Sequence, residues 1–526
     1  MYAEAEVKRE IPLWRIFLFT CCLLGVQFCW AIKIGWSTSV FLSLGLSAEG
    51  VALAWLAGPI SGMVVQPVVG ITSDYTWGYF GKRRPFIFLG ALATIVSLIG
   101  FSNATVLQDV SVLLALSAAI GSFWALDFAS NAIQGPIRSL LTDIVPDKQQ
   151  PIGNAFLAVH TGLGNLLGSL LGGVDFQHFI PGLPPALTNI RILYGLGALL
   201  LAATVGLCLL CAREVVEERH VQIQRLLAAW KSMVKQFSQI FNSRGVSSSS
   251  TLSEMKVHET TSLLPADLVH HAPKTDTDTA TETAAWVLPS AVRRVFLVQL
   301  FTWFAWFTCF MFAASWVGED VQGGNPRAPP GSSALFRYNE GVRIGNIGMA
   351  VQSVIALCYA PLLPTLMRMV SVKILYSLAH LLMAGCLMAT VLVSSGLEAI
   401  LVLSVLGIPW ATTMIIPWSL SGTAVSHTRS IGLFLALMNL SQCLPEIVAA
   451  IAGSLVLSLF GGKMAYVLVM GGVSAAIGGL LVPFVITVPP DTVEEVEFVV
   501  ESSSEAEDNS VRQGSPNNAV VTQGNV

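Results

Sequence analysis

Residues 51–101 read VALAWLAGPISGMVVQPVVGITSDYTWGYFGKRRPFIFLGALATIVSLIGF. Within them, residues 73–86 carry an aspartate and three consecutive basic residues between two long apolar runs. Such a charged turn is too costly to bury in hydrocarbon, so it must lie at a water boundary. The apolar runs on either side are each long enough for a membrane-spanning helix. The stretch therefore predicts two consecutive spans joined by a short, charged loop.

The composition of the whole chain supports a membrane protein. Of 526 residues, 54% are apolar and 11% charged, whereas soluble domains have about 25% charged residues. The net charge of −4 gives no basic character suited to a nucleic-acid partner. The nine cysteines lie in or beside apolar runs without metal-ligand spacing, so we expect neither a disulfide framework nor a metal site.

Twelve segments have the length and apolarity of a span, which predicts an all-α, polytopic membrane protein. Lys and Arg concentrate in alternate loops, which places both termini and the central loop in the cytoplasm. The fifth segments of the two halves share an Ile-Gly start and a mid-helix Asn, as expected of two six-helix repeats. The predicted spans are 14–36, 48–72, 86–106, 111–141, 151–173, 191–211, 293–317, 343–366, 372–394, 397–423, 430–457 and 464–487.

The predicted domains follow from these segments. The central loop contains an amphipathic pattern over residues 214–241 and a Ser-, Thr- and Asp-rich segment over residues 242–285, predicted to be disordered. The domains are a cytoplasmic tail (1–13), a six-helix bundle (14–211), the cytoplasmic central loop (212–292), a second six-helix bundle (293–487) and an acidic, disordered cytoplasmic tail (488–526).

Polar residues form a stripe along one face of the fourth segment. Asp127, Asn131, Gln134 and Arg138 share this face at 3.6 residues per turn. The stripe needs either hydrogen-bonding partner helices or a water-filled cavity. Asp127 and Arg138 lie about three turns apart, too far for a direct pair, which favours a cavity.

Two further segments carry ionisable residues that a bilayer disfavours. Asn439, Gln442 and Glu446 share a face of the eleventh segment, where Pro445 precedes the glutamate and predicts a kink. Lys33 in the first segment lies beside Trp30. Its ammonium group either snorkels to the membrane surface, pairs with a nearby carboxylate or has a functional role. The chain contains no GxSxG, HExxH or Walker A motif, so we expect no enzyme. His160 and His380 are interpreted as packing residues, and Gly164, Gly168 and Gly172 as close-packing positions.

Several motifs together resemble the sucrose transporters of the glycoside–cation symporter group, within the major facilitator superfamily. They are LLGVQFCWAIKIGW (23–36), FGKRRPF (80–86), LDFASNAIQGPIRSLLTD (126–143), NAFLAVHTGLGNLLG (154–168), LGIPWATTMIIPW (406–418) and LALMNLSQCLPEI (435–447). The resemblance implies the major facilitator fold of two six-helix bundles. It also implies proton-coupled symport of sucrose or related glycosides by alternating access, with the proton as coupling ion and no cofactor.

The resemblance also implies residue roles. Asp127 matches the proton acceptor, and Arg138 the arginine that binds or balances it. The expected cytoplasmic gate consists of Asp74, Gly81, Lys82, Arg83 and Arg84. Candidate sugar contacts, by hydrogen bonding or ring stacking, are Trp30, Lys33, Asn131, Gln134, Asn439, Gln442 and Glu446.

The chain departs from the plant carriers at several positions, and in this it resembles the fungal branch more closely. LGLSAEG (44–50) lacks their first-loop histidine, and Ala313 and Ser315 replace acids of the seventh span. Lys33 stands where relatives tend to have Gln or Glu, and Glu446 where they tend to have Gln. We hypothesise that this gained cation and gained anion compensate each other.

The sequence is also compatible with two alternative functions. The chain is an uncoupled sugar facilitator if Lys33 holds Asp127 permanently ionised, or a non-transporting sensor that signals through the long central loop. The resemblance suggests the plasma membrane, whereas an acidic dileucine pattern at residues 259–264 suggests an endosomal or vacuolar membrane.

Overall fold

The computed structural model describes residues 10–76, 80–184, 186–212, 290–425 and 431–486. Within these ranges, twelve helical segments are long and apolar enough to cross a membrane. The predicted all-α membrane fold is therefore confirmed. The predictions for residues 214–241, the disordered segment, the dileucine pattern and most of both tails lie outside the described residues.

The spans are numbered 1 to 12 in chain order. Spans 1 to 6 are Leu13–Thr20 with Cys22–Ser43, Ala48–Ala54 with Ala57–Tyr75, Arg84–Asn103, Val112–Ile144, Gln150–Gly172 and Asn189–Cys211. Spans 7 to 12 are Ser290–Trp316 continued by the π-helix Val317–Val321, Ser333–Tyr359 with Leu363–Met369, Val372–Ala389, Gly396–Val405 with Gly407–Val425, Ile431–Leu459, and Met464–Val485.

Span 8 begins earlier than the sequence predicts. Ser332 caps its N-terminus by accepting a hydrogen bond from the backbone N–H of Leu335 at 3.3 Å. The predicted start at residue 343 is therefore wrong, and Arg337 and Arg343 lie on the helix rather than in a loop. Hydropathy misses these first turns because they are polar, although their backbone groups are satisfied within the helix and by its cap.

Small residues allow spans 1 and 5 to approach closely. A Cβ atom at Gly164 would lie 2.5 Å from a backbone carbonyl oxygen of span 1, and one at Gly168 would lie 2.8 Å from another. Gly172, the third residue of the pattern, faces Asn346 of span 8 instead. The pattern therefore joins span 5 both to its own bundle and to the other bundle.

We call the face at which span 1 begins and span 12 ends the termini face, and the opposite one the distal face. The two bundles contact each other away from the termini face. The loops after spans 1 and 7 meet at the distal face, where Arg327 donates to the carbonyl of Leu46 at 3.0 Å. Hydrogen bonds and an ion pair also join Thr38 to Met311, Gly35 to Asn346, Gly62 to Asn439 and Asp175 to Arg343 across the bundle interface. All lie between mid-membrane and the distal face, so the structure is closed towards the distal face.

Candidate functional site

A buried salt bridge lies at the centre of the N-terminal bundle. The Lys33 ammonium of span 1 donates to Oδ1 of Asp127 on span 4, and each side chain is 1% exposed. Oδ2 of Asp127 has no hydrogen-bond partner among the described residues. Of the alternatives for Lys33, the structure shows pairing with a nearby carboxylate and not snorkelling.

Three aromatic rings surround the Lys33 ammonium. Its Nζ lies 4.5 Å from the ring centre of Trp30, 4.7 Å from Trp55 and 4.3 Å from Phe123. Each contact is within the range of a cation–π interaction, worth about 0.5–2 kcal/mol. The rings stabilise the positive charge and at the same time exclude water from it. Trp30, a predicted sugar contact, lies against the lysine and is half-buried.

A second carboxyl group approaches this pair from the other bundle. Glu446 of span 11 directly follows Pro445 and is 7% exposed. Gln442, one turn earlier, donates to Glu446 Oε1 at a long 3.4 Å. Glu446 is close enough to Lys33 and Asp127 for its charge to interact with both. The direct partner of Lys33 is nevertheless Asp127, so a simple Lys33–Glu446 pair is not what the structure contains.

Amide side chains connect the charged cluster to span 2. Asn131 donates to the Ser61 hydroxyl at 2.6 Å and accepts from the Gln66 amide at 2.7 Å. From the other bundle, Asn439 donates to the carbonyl of Gly62 at 2.9 Å. Both asparagines are therefore already hydrogen-bonded, and a sugar hydroxyl would have to replace or share these bonds.

The two remaining residues of the span 4 stripe lie towards the termini face. Gln134 is half-buried and Arg138 is exposed. Arg138 lies eleven positions after Asp127 along the helix, a rise of about 16 Å. In the described part of the chain, the Arg138 side chain forms no ion pair, and the structure does not bring it to Asp127. The cation at Asp127 is Lys33, a pairing that the sequence analysis considered only for the uncoupled facilitator.

Aromatic and hydroxyl groups close the distal side of the cluster. The indole N–H of Trp55 donates to the Thr38 hydroxyl at 3.1 Å, and that hydroxyl donates to the Met311 carbonyl at 2.6 Å. The Trp55 ring also meets Phe307 of span 7 edge-on, with centroids 6.1 Å apart. Spans 1, 2 and 7 are thus joined directly above Lys33.

An ion pair links the bundles nearer the distal face. Arg343 of span 8 contacts the Asp175 carboxylate, after span 5, at 2.8 Å, and pairs with Glu340 on its own helix at 2.7 Å. Partial burial opposes ionisation of Asp175, but a hydrogen bond from Asn189 and the Arg343 charge outweigh it, so the pKa of Asp175 is lowered. Sequence reasoning missed this pair because it placed Arg343 in a loop.

A cavity of about 550 Å³ opens at the distal face between loops of the two bundles. Glu49, Glu319 and Arg327 contribute charged groups to its lining, and none of Lys33, Asp127 and Glu446 does. The Trp55 ring and its contacts with Thr38 and Phe307 lie between this cavity and the charged cluster. The cavity is therefore a vestibule on the closed side.

The predicted gate residues hold the termini-face ends of the N-terminal bundle together. Arg83 pairs with Asp143 at the end of span 4 at 3.0 Å, and Lys82 contacts the same carboxylate at 3.2 Å. Arg84 donates to a carbonyl at the end of span 6 at 2.6 Å. Gly81 has φ of +90°, which a residue with a side chain rarely adopts. The Asp74 side chain lies outside the described set.

The two buried histidines pack against neighbouring side chains, as predicted. His160 meets the Thr20 hydroxyl at 3.3 Å and the Phe17 ring, whose centroid is 4.5 Å from its own. His380 contacts the Thr302 hydroxyl at 2.6 Å and the carbonyl of its own preceding turn at 2.8 Å. Neither lies in the charged cluster.

Two six-span bundles, closed on one face over a charged cluster, define a polytopic protein with an alternating-access architecture. The chain matches the model of the Major Facilitator Superfamily over residues 18–450. It therefore belongs to the Major Facilitator Superfamily. This membership confirms the predicted fold and the prediction of a transporter rather than an enzyme.

Similar proteins extend along almost the whole chain. It is 27% identical to the Arabidopsis thaliana sucrose transport protein SUC3, covering 91% of this chain and 89% of the relative. It is 26% identical to the A. thaliana sucrose transport protein SUC4, covering 91% and 90%. A solved D-xylose–proton symporter shares the fold, with a TM-score of 0.54 and 14% identity over 90% of this chain and 98% of that one. The predicted resemblance to sucrose transporters is confirmed.

Proposed function

We propose that this protein is a proton-coupled symporter of sucrose or a related glycoside that works by alternating access. The observation that carries the proposal is the Lys33–Asp127–Glu446 cluster, contributed by both bundles and buried at their interface. Sugars are uncharged, so their uphill movement needs a coupling ion. A carboxyl group held near an interface can take up a proton and thereby change the forces between the bundles.

The sugar site in this proposal lies next to the cluster on its termini-face side. Gln134 and Gln442 are half-buried amides there, and Trp30 offers an indole face. Amides donate to and accept from hydroxyl groups, and an indole packs against the apolar face of a sugar ring. Arg138 lies further towards the termini face, where it contributes positive charge to the path by which the sugar leaves the site.

The membrane orientation is part of the proposal. With both termini in the cytoplasm, as the Lys and Arg distribution predicts, the structure is closed to the outside and represents an inward-facing state. The gate residues Lys82, Arg83 and Arg84 then lie at the cytoplasmic surface. We place the protein in the plasma membrane, with a vacuolar or endosomal membrane as the alternative.

Sugar-evoked current tests this function. Cells expressing the protein are exposed to sucrose or maltose at an outside pH of about 5, where the proton gradient drives inward transport. We expect an inward current for at least one of the two sugars, abolished by a protonophore. Cells that do not express the protein and an alkaline external solution are the controls, and surface expression is measured in parallel. Absence of both current and labelled uptake at normal surface expression would overturn the proposal.

An uncoupled facilitator is the second candidate, favoured by the Lys33–Asp127 salt bridge. A lysine in direct contact keeps the aspartate ionised, and an aspartate that never takes up a proton cannot couple. Labelled sugar uptake that equilibrates but does not accumulate, without current, would establish the facilitator.

A further inference from the structure

We propose that Glu446 is the carboxyl group that takes up and releases the transported proton, while Asp127 stays ionised in its salt bridge with Lys33. This assignment rests on the proposed symport function and differs from the one implied by family resemblance, which places the proton on Asp127. The chemical step is a reversible protonation: a carboxylate oxygen gains one proton from water on one side and returns it on the other.

Asp127 and Glu446 differ in their direct partners. Asp127 contacts an ammonium group that is itself surrounded by three rings. Glu446 is almost as deeply buried, but its described partner is one amide at 3.4 Å, and no cation contacts it within the described part of the chain. An ionised carboxyl group that leaves water without a cation partner is strongly disfavoured, whereas a neutral one is not.

The net charge of the cluster also favours a proton on Glu446. One ammonium and two carboxylates give a net charge of −1, and a single proton makes the cluster neutral. The charged groups acting on Glu446 are Lys33 and Asp127, and Cys443 is its titratable neighbour on span 11. No further titratable residue of spans 2, 7 and 12, which pack against span 11, acts on Glu446 among the described residues. The proton therefore settles on the carboxyl that lacks direct contact with Lys33.

The two carboxyl groups also differ in where they lie relative to the bundle interface. Lys33 and Asp127 both belong to the N-terminal bundle, so a proton on Asp127 mainly changes forces within that bundle. Glu446 belongs to the C-terminal bundle. When ionised, it attracts Lys33 and repels Asp127 across the interface, and protonation removes both forces. A proton on Glu446 thus changes the free energy of bundle docking, which is what coupling requires.

Infrared spectroscopy of the purified full-length protein tests which carboxyl titrates. A protonated, buried carboxyl gives a carbonyl stretching band separate from that of carboxylates. We expect a band that titrates in the wild type and is lost in Glu446→Gln. In Asp127→Asn the band should still titrate, but at lower pH, because Glu446 is then the remaining carboxyl that acts on Lys33. Asp109→Asn, an exposed acid-to-amide change, is the matched control. Glu446→Asp keeps a carboxyl group and should keep a titrating band, which guards against misfolding of the glutamine variant.

Transport in proteoliposomes tests the coupling itself. For one proton per sugar, each unit of pH gradient supports about tenfold accumulation. We expect Glu446→Gln to retain sugar exchange without a gradient but to fall to about onefold accumulation, and Glu446→Asp to recover accumulation. Wild-type accumulation in Glu446→Gln, or a band lost in Asp127→Asn but kept in Glu446→Gln, would overturn the assignment. If the wild type moves no sugar at all, the proposed symport function is wrong. The infrared titration still decides whether Glu446 takes up a proton.

Discussion

Replacing Lys33 by methionine removes the charge of the buried salt bridge and keeps most of the side-chain volume. Asp127 then remains buried without its cation, and its least costly response is to take up a proton. An aspartic acid titrates near 3.9 in water, so protonation at pH 7 costs about 4 kcal/mol, which sets the scale of the loss of stability. This agrees with about 3–5 kcal/mol for breaking a buried pair.

The reciprocal change, Asp127→Asn, leaves the ammonium of Lys33 buried. Three aromatic rings at 4.3–4.7 Å and the charge of Glu446 remain to stabilise it. These contacts, worth about 1–2 kcal/mol together, are kept in Asp127→Asn and lost in Lys33→Met, so we expect a smaller loss of stability, about 2–3 kcal/mol, for Asp127→Asn. The two single changes are therefore unequal, and Lys33→Met is the more damaging.

The Lys33→Met/Asp127→Asn double variant removes both charges. Because neither charge is left unpaired, we expect its stability to lie within about 1 kcal/mol of wild type. Equilibrium unfolding in mixed detergent micelles measures all three variants. Lys82→Met is the matched control, since its salt bridge with Asp143 is about one-third exposed and is worth less than about 1 kcal/mol. Single variants as stable as wild type, or losses that simply add in the double variant, would refute the reasoning.

The pH dependence of the two single variants has opposite signs. The uncompensated carboxyl of Lys33→Met takes up a proton more easily as pH falls, so the deficit of this variant shrinks in acid. The uncompensated ammonium of Asp127→Asn loses a proton more easily as pH rises, so its deficit shrinks in alkali. Deficits that follow pH in the same direction in both variants would contradict a paired lysine and aspartate.

Three further predictions concern other parts of the structure. Asp175→Asn removes the ion pair with Arg343, and we expect the distal face of this variant to open about fivefold more often. The rate at which a cysteine placed in the vestibule is labelled measures this opening. Because the pKa of Asp175 is lowered, labelling of the protein with Asp175 intact should not rise until the pH falls below the usual aspartate range. Gly164→Ala should cost about 1–3 kcal/mol in detergent unfolding by overpacking against span 1, whereas Gly121→Ala, with open space at its Cβ position, should cost less than about 1 kcal/mol. Gly81→Ala should cost about 1–2 kcal/mol because of its positive φ, and equal stability to wild type would refute the strain.

The number and type of elements followed from the sequence alone. A helix must satisfy its own backbone hydrogen bonds in hydrocarbon, so every apolar run of sufficient length predicts a span. The polar stripe of Asp127, Asn131, Gln134 and Arg138 followed for the same kind of reason, because helical periodicity is a local property. Hydropathy mispredicted the start of span 8. It assigned the polar first turns, up to Arg343, to a loop because it measures apolarity and not helix formation.

Which charges meet was decided only by the tertiary structure. Lys33 and Asp127 are 94 residues apart in the chain, and Asp175 and Arg343 belong to different bundles. Helical periodicity fixes the face on which each residue lies, but not the rotation of one helix against another or the distance between two bundles. Those depend on packing along many contacts at once, such as the glycines of span 5 that determine how closely span 1 approaches. The sequence thus determined which residues a bilayer disfavours, and the packing of the two bundles determined that Lys33 pairs with Asp127 and leaves Glu446 without a direct cation.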